Sequence, residues 1–320
     1  EWLLETGGPV RDVYAFDGVP GVLQLLVGQK GLVASFGPTG MKPFDHKLTV
    51  ADLYDVAVTA ASDPTKIGAL AVGNTGTVLE YKQGGWSKAV FPAALPLRTV
   101  AADGKGGYIT AGSSLVYRRN ASTGLWALAG NISAQVYTSS FLSGGKYLVA
   151  GANGKNAEVT SKGMTLGSDV SQFALRSSAA LGPKDIWVVG DSATIAHSNG
   201  SNWTAHKKPF TQHLRGVWAA NDSDVFVVGL AGVMGRYDGS VWKSMAGVKG
   251  VDWHAIWGTD PNDVYAAGKG GILARFNGVK WTVIGGPVKG TLRGVWASSD
   301  KDIWAIGEAA AIYHSKGDGS

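Results

Sequence analysis

The sequence predicts an all-β protein, an eight-bladed β-propeller with four antiparallel strands in each blade. A glycine closes a short apolar run every 39 residues, at Gly73, Gly112, Gly151, Gly190, Gly229, Gly268 and Gly307, and Gly28 precedes this series by 45 residues. A period near 40 residues made of strand-like segments is typical of propeller blades. Eight glycines therefore predict eight blades.

Each repeat divides into four strands joined by tight turns. In the sixth repeat we predict strands over 214–220, 225–228, 233–237 and 241–245. Asp, Asn and Gly occupy the turns between them, where left-handed or self-capping residues are needed. The second strand is apolar on both faces, as expected for a strand between two neighbouring sheets. No segment has sustained helical spacing of apolar residues, so we expect few helices.

The two ends of the chain are predicted to share the last blade. From Gly307 through the C-terminus and on to Gly28 there are 41 residues, which is close to the internal period. Residues 312–320 supply a third strand and a turn, and residues 1–5 resemble the missing fourth strand. We expect one domain over 1–320, with blades at approximately 9–48, 49–92, 93–131, 132–169, 170–209, 210–247, 248–287, and 288–320 together with 1–8.

Composition limits the class of protein. With 45% hydrophobic residues, 17% charged residues and 47 glycines, the chain is expected to be folded and rich in turns. It has no apolar run long enough for a transmembrane segment and no visible signal segment. The absence of cysteine excludes disulfides and thiol chemistry. The net charge of +5, without a basic run longer than two residues, favours anionic partners and argues against nucleic acid.

The turns between third and fourth strands carry a family resemblance. Residues 237–242 (YDGSVW), 276–281 (FNGVKW) and 198–203 (SNGSNW) resemble degenerate Asp-box repeats, also called BNR repeats. The tryptophan-rich blades resemble propellers of bacterial secreted and surface proteins, which implies an extracytoplasmic location. Only Asp238 and Asp318 keep the aspartate of the motif. The resemblance implies a fold and leaves the function open, because such turns occur in enzymes, lectins and scaffolds.

Tryptophans and acidic turns are interpreted as framework. All 12 tryptophans fall at repeat positions, which favours packing between blades over carbohydrate stacking. The turns around Asp222, Asp260 and Asp300 each offer two carboxylates, whereas calcium needs six to eight oxygen ligands. The six histidines show no metal-binding spacing. We therefore predict no metal site and no cofactor.

One group of residues is left as a candidate site. Fourteen residues before the repeat glycine, at the start of the first strand, lie Arg98, Tyr137, Arg176, Arg215, His254 and Arg293, and the equivalents in the first two repeats are taken as Arg11 and Tyr54. First strands line the channel of a propeller, so these residues are predicted to ring one mouth of it. Lys30, Lys155 and Lys269 would add positive charge, and Asp191 and Glu308 would oppose it.

Arginine forks suit carboxylate, phosphate or sulfate. His254 would add a proton below about pH 6.5. The alternative is that these side chains are framework, stacked on aromatics or bonded to carbonyl groups.

The leading functional hypothesis is a non-catalytic binding or scaffold propeller for a protein or a polyanion. A carbohydrate-binding lectin is the first alternative. A sialidase-like glycosidase is the second, and it needs a nucleophile with a neighbouring carboxylic acid that the repeats do not supply.

Overall fold

The computed structural model describes residues 2–4, 11–19, 23–37, 40–44, 47–59, 67–285, 290–299, 301–309 and 311–315. In these ranges the chain forms eight four-stranded antiparallel sheets and no α-helix. The predicted class, an eight-bladed β-propeller, is confirmed. No helix in these ranges is long and apolar enough to cross a membrane. We number the blades 1 to 8 in the order of their first strands.

Blades 1 to 4 belong to one compact unit, Gly7–Gly167, which we call the N-terminal unit. Blade 1 consists of β2 Val13–Val19, β3 Leu23–Gly28, β4 Val33–Gly37 and β5 Gly40–Pro43. Blade 2 consists of β6 Leu53–Thr59, β7 Gly68–Gly73, β8 Val78–Lys82 and β9 Gly85–Lys88. Blade 3 consists of β10 Thr99–Ala102, β11 Tyr108–Gly112, β12 Leu115–Arg119 and β13 Trp126–Asn131. Blade 4 consists of β14 Val136–Ser143, β15 Lys146–Gly151, β16 Asn156–Thr160 and β17 Gly163–Leu166.

Blades 5 to 8 belong to the C-terminal unit, Ser168–Ser320 with Glu1–Thr6. Blade 5 consists of β18 Leu175–Gly182, β19 Asp185–Gly190, β20 Ile195–Ser198 and β21 Trp203–Ala205. Blade 6 consists of β22 Leu214–Asn221, β23 Asp224–Gly229, β24 Met234–Tyr237 and β25 Trp242–Ser244. Blade 7 consists of β26 Trp253–Asp260, β27 Asp263–Gly268, β28 Leu273–Phe276 and β29 Trp281–Gly285. Blade 8 consists of β30 Leu292–Ser299, β31 Asp302–Gly307, β32 Ile312–Ser315 and β1 Trp2–Leu4.

The N-terminal strand completes the last blade, as predicted. Strand β1 pairs antiparallel with β32, and Trp2 lies opposite Ser315. The turn that was matched to the Asp box at residues 318–320 lies outside the described residues. The assignment of the whole chain to one domain stays a prediction, since the two units are described separately.

The repeat glycine is required by close approach of two strands. At Gly28 and Gly229 the backbone is extended, with φ of −172° and −165°, which any residue can adopt. A Cβ on Gly229 would lie 2.2 Å from the carbonyl oxygen of His213, and a Cβ on Gly28 would lie 2.1 Å from that of Asp12. The same collision occurs at the other repeat glycines. The period in the sequence therefore marks the contact between the end of each second strand and the residue before each first strand.

Neighbouring blades within each unit pack through their first and second strands. Six of the eleven tryptophans whose side chains are described are buried, and they are Trp187, Trp242, Trp253, Trp281, Trp296 and Trp304. Trp257 is 37% exposed, but its Nε1 donates to the carbonyl of Ala297 in the next blade, at 3.0 Å. Trp218 lies against Gly258 of the next blade, where a Cβ would approach its ring to 2.7 Å. These contacts fit the framework interpretation of the tryptophans.

Two buried carboxylates join first strands in the N-terminal unit. Asp17 accepts a hydrogen bond from the backbone N–H of Val58 in blade 2, at 2.8 Å. Asp55 accepts from the N–H of Val56 in its own strand at 2.9 Å and from that of Val100 in blade 3 at 2.8 Å. Burial raises the pKa of Asp17 to about 6 and that of Asp55 to about 7, although these hydrogen bonds oppose the shift.

The turns between third and fourth strands are closed by side chains. Oδ1 of Asp238 accepts from the backbone N–H groups of Ser240 and Val241, at 3.0 and 2.9 Å. Asn199 and Asn277 make the equivalent pair of bonds in blades 5 and 7. Asn replaces Asp because either side chain supplies the accepting oxygen. The relation of these turns to Asp-box repeats stays a prediction.

Candidate binding site at the first-strand bulges

A β-bulge explains why one polar side chain stands at the start of each first strand. In blade 6, Leu214 lies opposite Gly229 and Gly216 lies opposite Val228, so Arg215 is an extra residue without a partner in the register. A bulged residue departs from the alternation of side chains between the two faces of a sheet. The preceding Leu214 remains fully buried, whereas Arg215 is partly exposed.

The predicted residues fall at this position in all blades but one. Tyr54, Tyr137, Arg176, Arg215, His254 and Arg293 are bulge residues, and Arg98 follows the buried Leu97 at the same point. In blade 1 the bulge residue is Tyr14, between Val13 opposite Gly28 and Ala15 opposite Val27. The equivalence of Arg11 was therefore wrong, because the longer first hairpin of blade 1 hid the register. The eight residues divide four and four between the units, and a common ring stays a prediction.

Two arginines of the C-terminal unit hold one carboxylate. Nε and Nη2 of Arg176 donate to Oδ2 of Asp191 at 3.2 and 2.7 Å, and Nη1 of Arg215 donates to Oδ1 at 2.5 Å. Burial by itself would raise the pKa of Asp191, but the hydrogen bonds from Arg176 and Arg215 lower it to about 2. Asp191 thus stays ionised and cancels part of the charge of the two guanidinium groups.

Arg293 has a similar partner in its own blade. Its Nη2 donates to Oε1 of Glu308, and Oε2 of Glu308 accepts from the backbone N–H of Thr291 at 3.1 Å. Burial raises the pKa of Glu308, but the bond from Arg293 outweighs this and lowers it. The sequence placed Asp191 and Glu308 against the cationic residues, and the structure shows both in direct contact with them.

His254 is less easily protonated than the sequence suggested. Burial, followed by the positive charge of Arg293, lowers its pKa below the usual value of 6.5. The expectation of a proton gained just below pH 6.5 was therefore wrong, and a more acidic solution is needed. Lys269 lies 3.8 Å from Asp252, so this part of the C-terminal unit has four permanent cations beside three carboxylates.

The bulge residues of the N-terminal unit form a stack. The rings of Tyr14 and Tyr54 are 5.7 Å apart and 29° from parallel. The guanidinium carbon of Arg98 lies 4.0 Å from the centre of the Tyr54 ring. Arg11, outside this stack, donates to the carbonyl of Lys30 at 3.1 Å. Stacking on an aromatic ring and bonding to a carbonyl are the two framework roles considered from the sequence, and both occur in this unit.

The residue just before each first strand has a role that the sequence analysis missed. Asp252 accepts from the backbone N–H of Ala231 at 3.0 Å, and Asp52 accepts from that of Lys30 at 2.9 Å. At the equivalent place in blade 6, Nδ1 of His213 lies 3.2 Å from the N–H of Ser192 and 3.2 Å from Oδ1 of Asp191. An unprotonated Nδ1 accepts from Ser192, whereas a protonated one pairs with Asp191. These bonds tie each blade to the turn of the preceding one.

Blades 5 to 8 share a second contact that was missed. Asp302 Oδ1 lies 2.9 Å from Nε2 of His314, whose ring stacks on Trp304 at 3.8 Å and 10°. In blade 6, Arg236 donates to Asp224 and lies 5.2 Å from the centre of the Phe226 ring. The four sets are Asp185 with Trp187 and His197, Asp224 with Phe226 and Arg236, Asp263 with Tyr265 and Arg275, and Asp302 with Trp304 and His314.

An Asp, an aromatic residue two positions later and a His or Arg ten positions after that is the signal that would have found these sets. These contacts also change the view of the acidic turns. Asp224, Asp263 and Asp302 are engaged by a cation or a histidine of their own blade. Across the described ranges, no three His, Asp or Glu side chains are arranged to hold a metal ion.

Comparison with known proteins identifies the architecture. No protein-family model and no curated protein matches the chain. The designed protein Ika8 has a TM-score of 0.80 and 11% identity, covering 97% of each chain. Sqt1 of Chaetomium thermophilum, solved with the N-terminus of ribosomal protein L10, has a TM-score of 0.76 and 12% identity over 97% of this chain and 98% of that one. YCF48 bound to a D1 peptide has a TM-score of 0.63 and 17% identity over 86% and 96%.

At these identities the similarity shows the fold, a β-propeller, and leaves the ligand open.

Proposed function

We propose that this chain is a non-catalytic binding propeller whose first-strand bulges in the C-terminal unit hold an acidic segment of a protein partner. The observation that carries the proposal is the contact of Arg176 and Arg215 with Asp191. Two guanidinium groups from adjacent blades already bind a carboxylate there, while 32% and 26% of their side chains remain exposed. A partner carboxylate can approach the same groups from solvent.

The charge balance indicates what kind of ligand fits. Asp191, Asp252 and Glu308 cancel most of the charge of the four cations, so long-range attraction of an anion is small. Short-range hydrogen bonds from the arginine forks then decide binding, and these select planar carboxylates over diffuse negative charge. Arg293, with 45% of its side chain exposed, offers a further donor. A segment with several carboxylates satisfies these donors better than a single small anion.

Two of the comparison structures support the choice of a protein partner. Sqt1 was solved with the N-terminus of a ribosomal protein, and YCF48 with a peptide. Binding of a peptide segment is thus a documented use of this architecture. The extracytoplasmic location and the Asp-box ancestry belong to the proposal as well, and they rest on the sequence patterns alone.

The test is binding of a capped tetraglutamate peptide, with tetraglutamine as the matched neutral probe. We expect the double change Arg215→Ala with Arg293→Ala to weaken tetraglutamate binding by about tenfold or more, a loss of about 1.4 kcal/mol or more. Arg215→Lys keeps the charge but removes the fork, so it should also weaken binding. Binding should weaken as inert salt is added.

The control variant removes two exposed cations of the same unit, Lys243→Ala with Lys280→Ala. It should leave tetraglutamate affinity within about twofold of the wild type, a change under about 0.5 kcal/mol. Thermal unfolding of all variants separates binding from folding. If the double arginine change lowers only the melting temperature and leaves affinity intact, these residues are framework and the proposal fails.

A further inference from the structure

Blade 3 has an outermost strand that lacks charge. No Asp, Glu, Lys or Arg occurs between Arg119 and Lys146, and β13 lies in this run. Natural sheets protect their edges with lysine, proline or short strands. The other outermost strands each contain or adjoin such a residue, namely Lys42 and Pro43, Lys88, Lys162, Lys207, Lys243, Lys280, and Glu1 with Glu5. Strand β13 is the exception.

The position of β13 leaves one of its sides open within the sheet. It is the last strand in the order β10-β11-β12-β13 and pairs only with β12. With six residues it is the longest outermost strand in the described part of the chain. An edge strand presents a row of backbone N–H and C=O groups that can pair with another strand. The edge also has apolar side chains, because Leu125 is 71% and Leu128 is 56% exposed.

A bulge limits the usable length of this edge. Trp126 and Leu128 lie opposite Arg119 and Tyr117, and Gly130 lies opposite Val116, so Ala129 is the extra residue. The regular part of the strand is therefore its first half, together with the exposed Leu125 before it. The contact offered is short, with room for about four residues of an added strand, or roughly 13 Å at the rise of a β-strand.

We propose that the edge of β13 binds an extended, uncharged peptide segment of a partner protein as an added strand. Main-chain hydrogen bonds give affinity in this mode, and side-chain pockets give specificity. The charge pattern selects the occupant, since a charged residue beside Leu125 or Leu128 would find no counter-charge in residues 120–145. A second folded copy is disfavoured because one short edge covers far less than the roughly 1,200 Å² of a stable interface.

The test uses a capped seven-residue probe, acetyl-STVTVTS-amide, and hydrogen–deuterium exchange of the whole protein. We expect the probe to slow amide exchange in residues 124–131 and to leave the outermost strands of the other blades unchanged. A second probe with both valines replaced by lysine should bind about tenfold or more weakly, a loss of about 1.4 kcal/mol or more. A third probe with a central proline lacks a backbone donor and should bind more weakly as well.

Leu128→Lys and Ala127→Lys place a charge on this edge and should abolish the protection. Both side chains are exposed, so folding is expected to persist. The matched control is Val283→Lys on β29, an exposed apolar residue of another outermost strand. Absence of protection by the first probe, or equal protection in the Leu128→Lys variant, overturns the proposal. Protection that rises with protein concentration without probe would also overturn it, in favour of pairing between copies.

Discussion

Replacing Asp55 by asparagine changes the dependence of stability on pH. In the folded protein, burial raises the pKa of Asp55 from 3.8 to about 7. The folded state therefore holds this proton more tightly than the unfolded chain. The resulting cost of ionisation is absent below about pH 4 and complete above about pH 7. The contribution of this group makes the wild type less stable as pH rises through that window.

The size of the effect follows from the two pKa values. With 1.36 kcal/mol for each pKa unit, values of 3.8 and about 7 make the wild type lose about 2 to 3 kcal/mol between pH 5 and pH 8. The Asp55→Asn variant would have no such loss. Its amide would have one accepting oxygen for the N–H groups of Val56 and Val100, which costs about 1 to 3 kcal/mol at all pH values. The variant is therefore less stable at pH 5 and approaches or passes the wild type at pH 8.

The assay is urea unfolding followed by tryptophan fluorescence, at fixed salt and at each pH from 5 to 8. The matched variant is Asp17→Asn, where the folded pKa is about 6 and the narrowing should be about half as large. Parallel stability profiles for the wild type and Asp55→Asn across this range would refute the reasoning. They would mean that the buried carboxyl does not change its protonation in the folded protein.

Three further outcomes are expected. Asp191→Asn should lower the melting temperature at pH 7 and lose this effect at pH 2, because the lowered pKa of Asp191 makes its contribution present above pH 4 and absent below about pH 2; an equal effect at both values would contradict this. Gly229→Ala should destabilise by about 3 kcal/mol or more, since its Cβ would meet the His213 carbonyl, whereas Gly182→Ala has open space and serves as control; equal urea midpoints would count against the steric argument. Trp304→Ala should cost about 3 to 5 kcal/mol and Trp257→Ala clearly less, because only Trp304 is fully buried, and calorimetry would expose the reverse order.

The repeat made the architecture predictable from sequence. A glycine that returns at a fixed spacing marks one backbone contact that has no room for a Cβ, so its period gives the number of blades. The fourth strand of the last blade was predictable for the same reason, because Trp2 stands at a repeat position. Arg11 shows where this logic fails. The longer first hairpin of blade 1 breaks the count, and only the pairing of Val13 with Gly28 identifies Tyr14 as the bulge residue.

The candidate site was predicted in position but only partly in chemistry. The sequence located the bulge residues and the opposing carboxylates, yet the sharing of Asp191 between Arg176 and Arg215 depends on the distance between two blades. The raised pKa values of Asp17 and Asp55 were invisible for another reason. Burial of a polar residue in a first strand depends on the neighbouring blade, and nothing in the local sequence distinguishes Asp55 from an exposed aspartate.

The bulge at the start of each first strand separates two kinds of constraint on the sequence. The residue before it is held by packing, as Leu214 shows, and can change little without loss of the fold. The bulged residue itself does not alternate with its neighbours, so substitution there need not disturb the apolar interior. Tyrosine, arginine and histidine already occupy this point in different blades of the same chain. Such a chain can acquire a new ligand preference one blade at a time, by single substitutions that its stability tolerates.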